Sequence, residues 1–214
     1  MNDPAYIAPD TIMLAGETWK VAMIPRVLDA SEILKWGELH TENITKSINE
    51  KGSFVPGLVI LGSPKEAMTD TPHGQLTVQL ALAILKYIAP ERKEDAPTMA
   101  GELTRLVVET LIETEGYAIM VAMPAFVPED ADSAKSIAPG GDYEDNEGVV
   151  EALVVTTETM EGMVSMRMFA IDRDETNRAS IAVELEMNDF QKKLFPRFLE
   201  TAVDYAKQTK GRKP

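Results

Sequence analysis

The chain has no cysteine and only two histidines and two tryptophans in 214 residues, and each scarcity excludes a class of protein. Without cysteine there is no disulfide scaffold, thiolate zinc site, iron–sulfur cluster or cysteine nucleophile. Because His40 and His73 are the only histidines in the sequence, most histidine-based metal sites and catalytic triads are excluded. The longest apolar-leaning run, residues 76–89, contains Gln79 and Lys86 and is too short to cross a bilayer about 30 Å thick.

The composition is that of a soluble globular protein with a strong acidic excess. Hydrophobic residues make up 44% and charged residues 26%, and the net charge is −14. Because so negative a surface repels phosphates, we do not expect non-specific nucleic-acid binding. The acidic N-terminus shows no signal-peptide pattern, so we expect a cytoplasmic protein without membrane contact.

The first half of the chain predicts a hairpin followed by helices. Residues 11–14 and 18–24 are strand-like around Gly16, and Asp29 with Glu32 forms a capping-box pattern for a helix that stops near Gly52. Residues 54–61 predict a weak buried strand. Further helices are expected over residues 71–88, apolar on nearly every side, and from about residue 98 to residue 116.

The second half changes to strand periodicity. Residues 117–127, 149–157, 163–171 and 179–187 predict four strands joined as an antiparallel meander. In the last strand Ile181, Val183, Leu185 and Met187 are expected to share one face. A helix should follow from residue 188 or 189 to about residue 207, kinked or restarted at Pro196.

These elements predict an α+β fold, an antiparallel sheet with one face covered by three to four helices. The N-terminal hairpin can extend the sheet, or residues 1–60 can form a sub-lobe. We expect a single domain over residues 1–214, with a long acidic loop at 128–148 and a basic flexible tail at 208–214. No motif identifies a family.

The loop at 128–148 carries seven acidic residues against one lysine. A run of this kind is consistent with a solvated loop, with a docking loop for a basic partner, or with a calcium site using Asp142, Glu144 and Asp145. The C-terminal segment is basic, so association with an acidic patch, including that of a second copy, is a further option.

Methionine is the one residue in surplus, with 12 in the chain. Met163, Met166 and Met168 lie on one predicted strand, which is apolar on both faces. Methionine fills irregular cores and also serves adaptable binding surfaces. With helices on one face only, these methionines would leave an exposed apolar patch of the kind that marks interfaces.

Catalytic patterns are absent or weak. His73 could act with Asp70 or Glu66, but no nucleophile pattern is nearby, and His40 lies on an apolar helical stripe. Residues 172–177 begin like a calcium loop, but a hairpin turn with Asn177 in a left-handed conformation explains them better. No phosphate-binding glycine loop, nucleophile elbow or zinc-protease motif occurs.

The sequence therefore favours a non-enzymatic protein that binds another protein, as an adaptor, chaperone-like factor, immunity protein or assembly subunit. The candidate contacts are Met163, Met166 and Met168 for apolar burial and the acidic loop residues for steering a basic partner. No cofactor or metal is predicted. The alternatives are a carboxylate-based or divalent-metal-dependent enzyme or small-ligand binder, and a mimic of nucleic acid.

Overall fold

The computed structural model of the protein describes residues 11–14, 16–24, 28–53, 56–62, 75–80, 96–136, 148–195 and 197–210. Eight strands lie within these residues: β1 Thr11–Leu14, β2 Glu17–Ile24, β3 Gly57–Gly62, β4 Gln75–Leu80, β5 Ala118–Pro128, β6 Val149–Thr159, β7 Val164–Arg173 and β8 Ala179–Leu185. The same residues hold five helices: α1 Ala30–Lys51, α2 Ala96–Glu113, α3 Ala131–Ser136, α4 Asp189–Lys192 and α5 Phe198–Lys210.

The strands form one antiparallel sheet in the order β1-β2-β4-β3-β5-β6-β7-β8. The predicted α+β fold and the four-strand meander, β5 to β8, are confirmed. The N-terminal hairpin β1–β2 extends the sheet through β4 and β3, and Gly16 takes the positive φ of 81° at its turn.

The helix predicted to open at residues 71–72 and run to residue 88 is wrong at its centre, because residues 75–80 form β4, between β2 and β3. Gln, Thr and Gln alternate there with Leu, Val and Leu, a period of two that fits a strand. Pairing along both edges with β2 and β3 favours the strand over helix propensity. The rest of the predicted helix lies outside the described residues.

Helices cover both faces of the sheet, so the expectation of one covered face is also wrong. On one face α1 packs with Ile48 against Met120 and Leu153. On the other face α2 and α5 pack against β3 and β5, where Leu106 and Phe198 meet Ile60 and Ile119. Residues 58–61 of β3 are all buried, as two covered faces require.

Helix α1 begins and ends at residues that its sequence specifies. The Asp29 carboxylate accepts a hydrogen bond from the Glu32 backbone N–H at 2.9 Å, and the Glu32 carboxylate accepts one from the Asp29 N–H, which confirms the capping box. At the other end Gly52 has a φ of 69°. The Arg178 guanidinium donates to the Glu50 carbonyl at 2.8 Å and thereby ties the last turn to the start of β8.

The C-terminal helical segment is two helices rather than one. Asn188 caps α4 with a capping box through Gln191, and α5 starts at Phe198. The restart expected near Pro196 is therefore observed, although Pro196 itself lies outside the described residues. Between β5 and β6, α3 occupies residues 131–136, and residues 137–147 of the predicted acidic loop lie outside the described ranges.

Candidate functional site

A β-bulge in the last hairpin decides which side chains share a face at the end of the sheet. Ile171 pairs with Ile181 but Ala170 pairs with Val183, so β8 has one extra residue at this point. A shift of one residue moves side chains to the opposite face. Ile181 therefore packs under α1, whereas Leu185 lies on the opposite face, and the expectation of a single face for residues 181–187 is wrong.

The bulge lies beside a tight turn that confirms the reading of residues 172–177 as a hairpin turn. Asn177 has a φ of 62°. The Asp174 carboxylate accepts hydrogen bonds from the Thr176 hydroxyl at 2.7 Å and from the Thr176 and Arg178 N–H groups. These bonds, led by the Thr176 hydroxyl, lower the pKa of Asp174.

The predicted methionine contacts do not form one exposed patch. Met168 is only 2% exposed and lies in the core with Val154 and Met187, so its assignment as a contact on an open surface is wrong. The physical reason is that the chain leaves β8 and folds back across this face, where Phe195 also packs. Met166 is half-buried at the margin of the same cluster, and Met163 is 40% exposed just before β7.

The other candidates from the sequence fall into two groups. Asp142, Glu144, Asp145 and His73 lie outside the described residues. His40 is half-buried on α1, edge-on to Trp36 with 4.8 Å between ring centroids, and burial lowers its pKa. That environment fits a packed histidine at the rim of the core.

Strand β7 extends further than its neighbour β8, which leaves a gap at the edge of the sheet. The last pair between them joins Met168 to Leu185, while residues 164–167 of β7 pair with β6 and, within the described ranges, with no other strand. The resulting open cavity, which we call the edge notch, has a volume of about 490 Å³. It is lined by Met166, Arg167, Glu184, Leu185, Glu186, Met187 and Lys192.

The edge notch is apolar on one face of the sheet and charged on the other. Met166 and Leu185 belong to the face that holds Met168, and they pack at the margin of its core cluster. On the opposite face the Arg167 guanidinium donates two hydrogen bonds to the Glu184 carboxylate, at 2.8 and 2.7 Å. A groove of mixed character suits a polypeptide better than a small apolar ligand.

On the charged side of the edge notch Arg167 interacts with three glutamates. Hydrogen bonding to Glu184 raises the pKa of Arg167, and the charges of Glu38 and Glu42 on α1 raise it further. In return Arg167 lowers the pKa of Glu184. Arg167 also lies 5.0 Å from the centre of the Phe169 ring, so it is held in place from two sides.

A second feature is the buried carboxyl group of Glu158 on β6. Its side chain is 3% exposed, and its two oxygens accept hydrogen bonds from the Phe198 and Leu199 N–H groups, both at 3.1 Å. Glu158 therefore caps the start of α5 from a strand about 40 residues earlier in the chain. Burial raises the pKa of Glu158, opposed by these two bonds and by Arg197.

Glu158 borders a cavity of about 390 Å³ beside α5. The Nε atom of Arg197 lies 3.9 Å from the Glu158 carboxylate and has no hydrogen-bond partner among the described residues, while Glu200 and Asp204 add negative charge to the rim. A buried acid of raised pKa in a cleft is a feature that active sites share with structural networks. Here both carboxylate oxygens are already used by backbone N–H groups.

The sequence alone does not mark Arg167, Glu184 or Glu158 as site residues. Arg167 and Glu184 share a face only because the bulge shifts the register of β8. Glu158 meets α5 only through tertiary packing, and no local pattern announces a cap from a distant strand. One signal was available, since an acidic residue within the apolar and threonine-rich run of residues 152–159 is a reason to look for a buried partner.

Comparison of the chain with protein-family models, with curated proteins and with solved structures finds no match in any of the three. None of the helices in the described ranges combines the length and the apolarity that a helix needs to span a bilayer. Over the same ranges, no three His, Asp or Glu side chains converge in a way that would hold a metal ion.

Proposed function

We propose that the protein binds another protein at the edge notch and acts as an adaptor, chaperone-like, immunity or assembly component in the cytoplasm. The observation that carries the proposal is the open groove of about 490 Å³ at the edge of the sheet, with Met166 and Leu185 on one face and the Arg167–Glu184 ion pair on the other. Exposed apolar side chains flank it, with Val183 54% and Met163 40% exposed.

The charges near the edge notch favour a basic partner. Glu184 and Glu186 line the groove together with Arg167 and Lys192, and the charges of Glu38 and Glu42 on α1 act on Arg167. Arg167 is engaged by Glu184, and Lys192 lies 4.0 Å from Asp189. With a net charge of −14 on the whole chain, the long-range field also attracts basic proteins, and the attraction weakens with salt.

Site-specific photo-crosslinking in the native host tests this proposal. A benzophenone amino acid is placed at Met163 or Val183 beside the edge notch, and at Ile112 on α2, which matches Met163 at 40% exposed. We expect the same protein to be cross-linked from position 163 and from position 183, but not from position 112. Raising the salt concentration before irradiation should dissociate the complex and prevent the cross-link. No adduct from the first two positions, together with a strict monomer by light scattering, would contradict the proposal.

The alternative function is a carboxylate-based enzyme or small-ligand binder at the cavity beside α5. The observation that favours it is the buried Glu158 carboxyl group of raised pKa at the wall of that cavity. A thermal-shift screen with Ca²⁺, Mg²⁺ and Mn²⁺ addresses its metal-dependent form. A stabilisation by one ion that Glu158→Gln removes would support this alternative, and no shift with any ion would remove the metal-dependent form.

A further inference from the structure

The backbone of β7 beside the edge notch has hydrogen-bonding groups that face away from β6. The Thr159 N–H donates to the Met163 carbonyl at 2.9 Å, so the backbone groups of Met163 point toward β6. In an antiparallel pair these groups alternate from residue to residue. The N–H and C=O groups of Val164 and Met166 therefore point away from β6, toward the side of β7 on which β8 pairs with residues 168–173.

No described strand occupies that side of residues 164–167, because the pairing of β7 with β8 ends at Met168 and Leu185. After Leu185 the chain turns toward the core with Met187 and α4. No backbone hydrogen bond from the described residues after β8 reaches Val164 or Met166. An open strand edge of this kind is a template for a further strand.

We propose that the partner enters the edge notch as an extended segment that continues the line of β8, antiparallel to β7, and so adds a short strand to the sheet. This mode of binding rests on the protein-binding function proposed above. Main-chain hydrogen bonds to Val164 and Met166 supply the pairing, and side chains on alternate positions supply the selectivity.

The two faces of the edge notch define the chemistry of the segment. Side chains on the face of Met166 and Leu185 meet apolar surface, so alternate residues of the segment are apolar. The residues between them point to the face of Arg167 and Glu184. The charges of Glu38 and Glu42 on α1 interact with Arg167 on this face. Glu184 forms an ion pair with Arg167, so these two charges largely cancel. The negative charges of Glu38 and Glu42 remain, and they favour Lys or Arg at these positions of the segment.

The register of β8 predicts which backbone groups of the segment are used. Val183 and Leu185 lie on the apolar face and pair with Ala170 and Met168 of β7. A segment in line with them has its apolar residues opposite Met166 and Val164, with their N–H groups directed at β7. The N–H groups of its basic residues point away from the sheet.

A set of synthetic peptides tests this geometry by fluorescence anisotropy at low salt. The probe is a fluorescein-labelled seven-residue peptide of alternating Lys and Val, and one comparison peptide alternates Glu and Val. Two further peptides keep the Lys–Val sequence but carry N-methyl groups either on the valines or on the lysines. Only the N-methyl-valine peptide loses the bonds to β7, so we expect it to bind at least about tenfold more weakly than the probe.

The N-methyl-lysine peptide should bind within about threefold of the probe, and the Glu–Val peptide should bind much more weakly. The site is checked by Glu186→Lys in the edge notch against Glu102→Lys on α2, both of them exposed glutamates. We expect only Glu186→Lys to weaken the Lys–Val peptide, by several-fold.

The outcomes separate the mode of binding from the function. Equal binding of the two N-methylated peptides would overturn strand addition and leave the protein-binding proposal standing. No binding by any peptide would also overturn strand addition, whereas the protein-binding proposal depends on the cross-linking result. The chain could instead associate with itself through β8, which light scattering would show as a dimer that the peptide does not dissociate. That result would identify a second copy as the occupant and overturn the inference.

Discussion

Gly37→Ala on α1 and Gly101→Ala on α2 are the same substitution in two helices, and we expect them to change stability in opposite directions. Gly37 faces the sheet, where an added Cβ would meet the Thr157 hydroxyl and would lie 3.1 Å from its Cγ2 and 3.2 Å from its Cβ. Thr157 is 3% exposed and β-branched, so it has little freedom to move aside. At Gly101 an added Cβ meets nothing within 4 Å.

The magnitudes follow from two opposing effects. Alanine favours the helical backbone over glycine by about 1 kcal/mol in both helices. At Gly37 the added methyl overpacks a closed interface at a cost of about 1–3 kcal/mol. The close approach to three Thr157 atoms favours the upper part of that range, so we expect a net loss of roughly 1–2 kcal/mol.

Thermal and urea unfolding followed by circular dichroism measure both variants. For a chain of this length, about 1 kcal/mol shifts Tm by roughly 2–4 °C. Gly37→Ala should therefore lower Tm by roughly 2–8 °C, whereas Gly101→Ala should raise it by a few degrees. If Gly37→Ala stabilised the protein as much as Gly101→Ala, the close contact of α1 with β6 would be refuted.

Three further predictions concern the contacts at the ends of the helices. Arg178→Ala should lower the free energy of unfolding, measured in urea, by about 1 kcal/mol, because it removes the hydrogen bond to the Glu50 carbonyl at the end of α1. The control Arg105→Ala removes an exposed ion pair with Glu109 within α2 and should change the free energy of unfolding by less than about 0.5 kcal/mol. Asp29→Ala should cost about 1 kcal/mol through loss of the capping box. Because burial raises the pKa of Glu158, the stabilisation that its titration contributes is present below its ordinary pKa of 4.5 and is lost as pH rises through its folded pKa. The stability of the wild type relative to Glu158→Gln should therefore fall as the pH rises above about 4.5.

Each of these predictions has an outcome that would contradict it. Equal effects of Arg178→Ala and Arg105→Ala would mean that the end of α1 is not held by the hairpin turn. An Asp29→Ala variant as stable as the wild type would argue against the cap. A pH-independent difference between the wild type and Glu158→Gln would show that the folded protein does not raise the pKa of Glu158.

Local sequence signals were enough to predict much of the fold. The alternation in the second half of the chain predicts β5 to β8 because each strand pairs with the next one along the chain. Asp29, Glu32 and Gly52 define the limits of α1 through backbone hydrogen bonding and φ, which depend on only a few neighbouring residues.

The errors arose where distant parts of the chain decide the outcome. Residues 75–80 form a strand because β2 and β3 lie on both sides of them, which no window of sequence contains. Met168 is buried because the segment after β8, including Met187, folds back over it. Both faces of the sheet are covered because α1 and α5 pack on opposite sides, although the doubly apolar β5 already indicated two covered faces.

The candidate site was less predictable than the fold for the same reason. The sequence drew attention to Met163 and Met166 through composition, and both lie at or near the edge notch. The charged half of the notch depends on the bulge between Ala170 and Ile171, and a bulge is a register defect without a clear pattern in a single sequence. The open edge of β7 exists because β8 stops at Leu185, two residues earlier than its alternation predicts.

Amide hydrogen exchange along β7, read residue by residue by NMR, tests most directly whether the edge notch is an open docking edge. In the isolated protein the N–H groups of Ser165 and Arg167, which face β6, should exchange slowly, while those of Val164 and Met166 should exchange rapidly. Addition of the Lys–Val peptide should then slow Val164 and Met166 alone. If all four amides were equally protected in the isolated protein, the edge would already be occupied and the account would be contradicted.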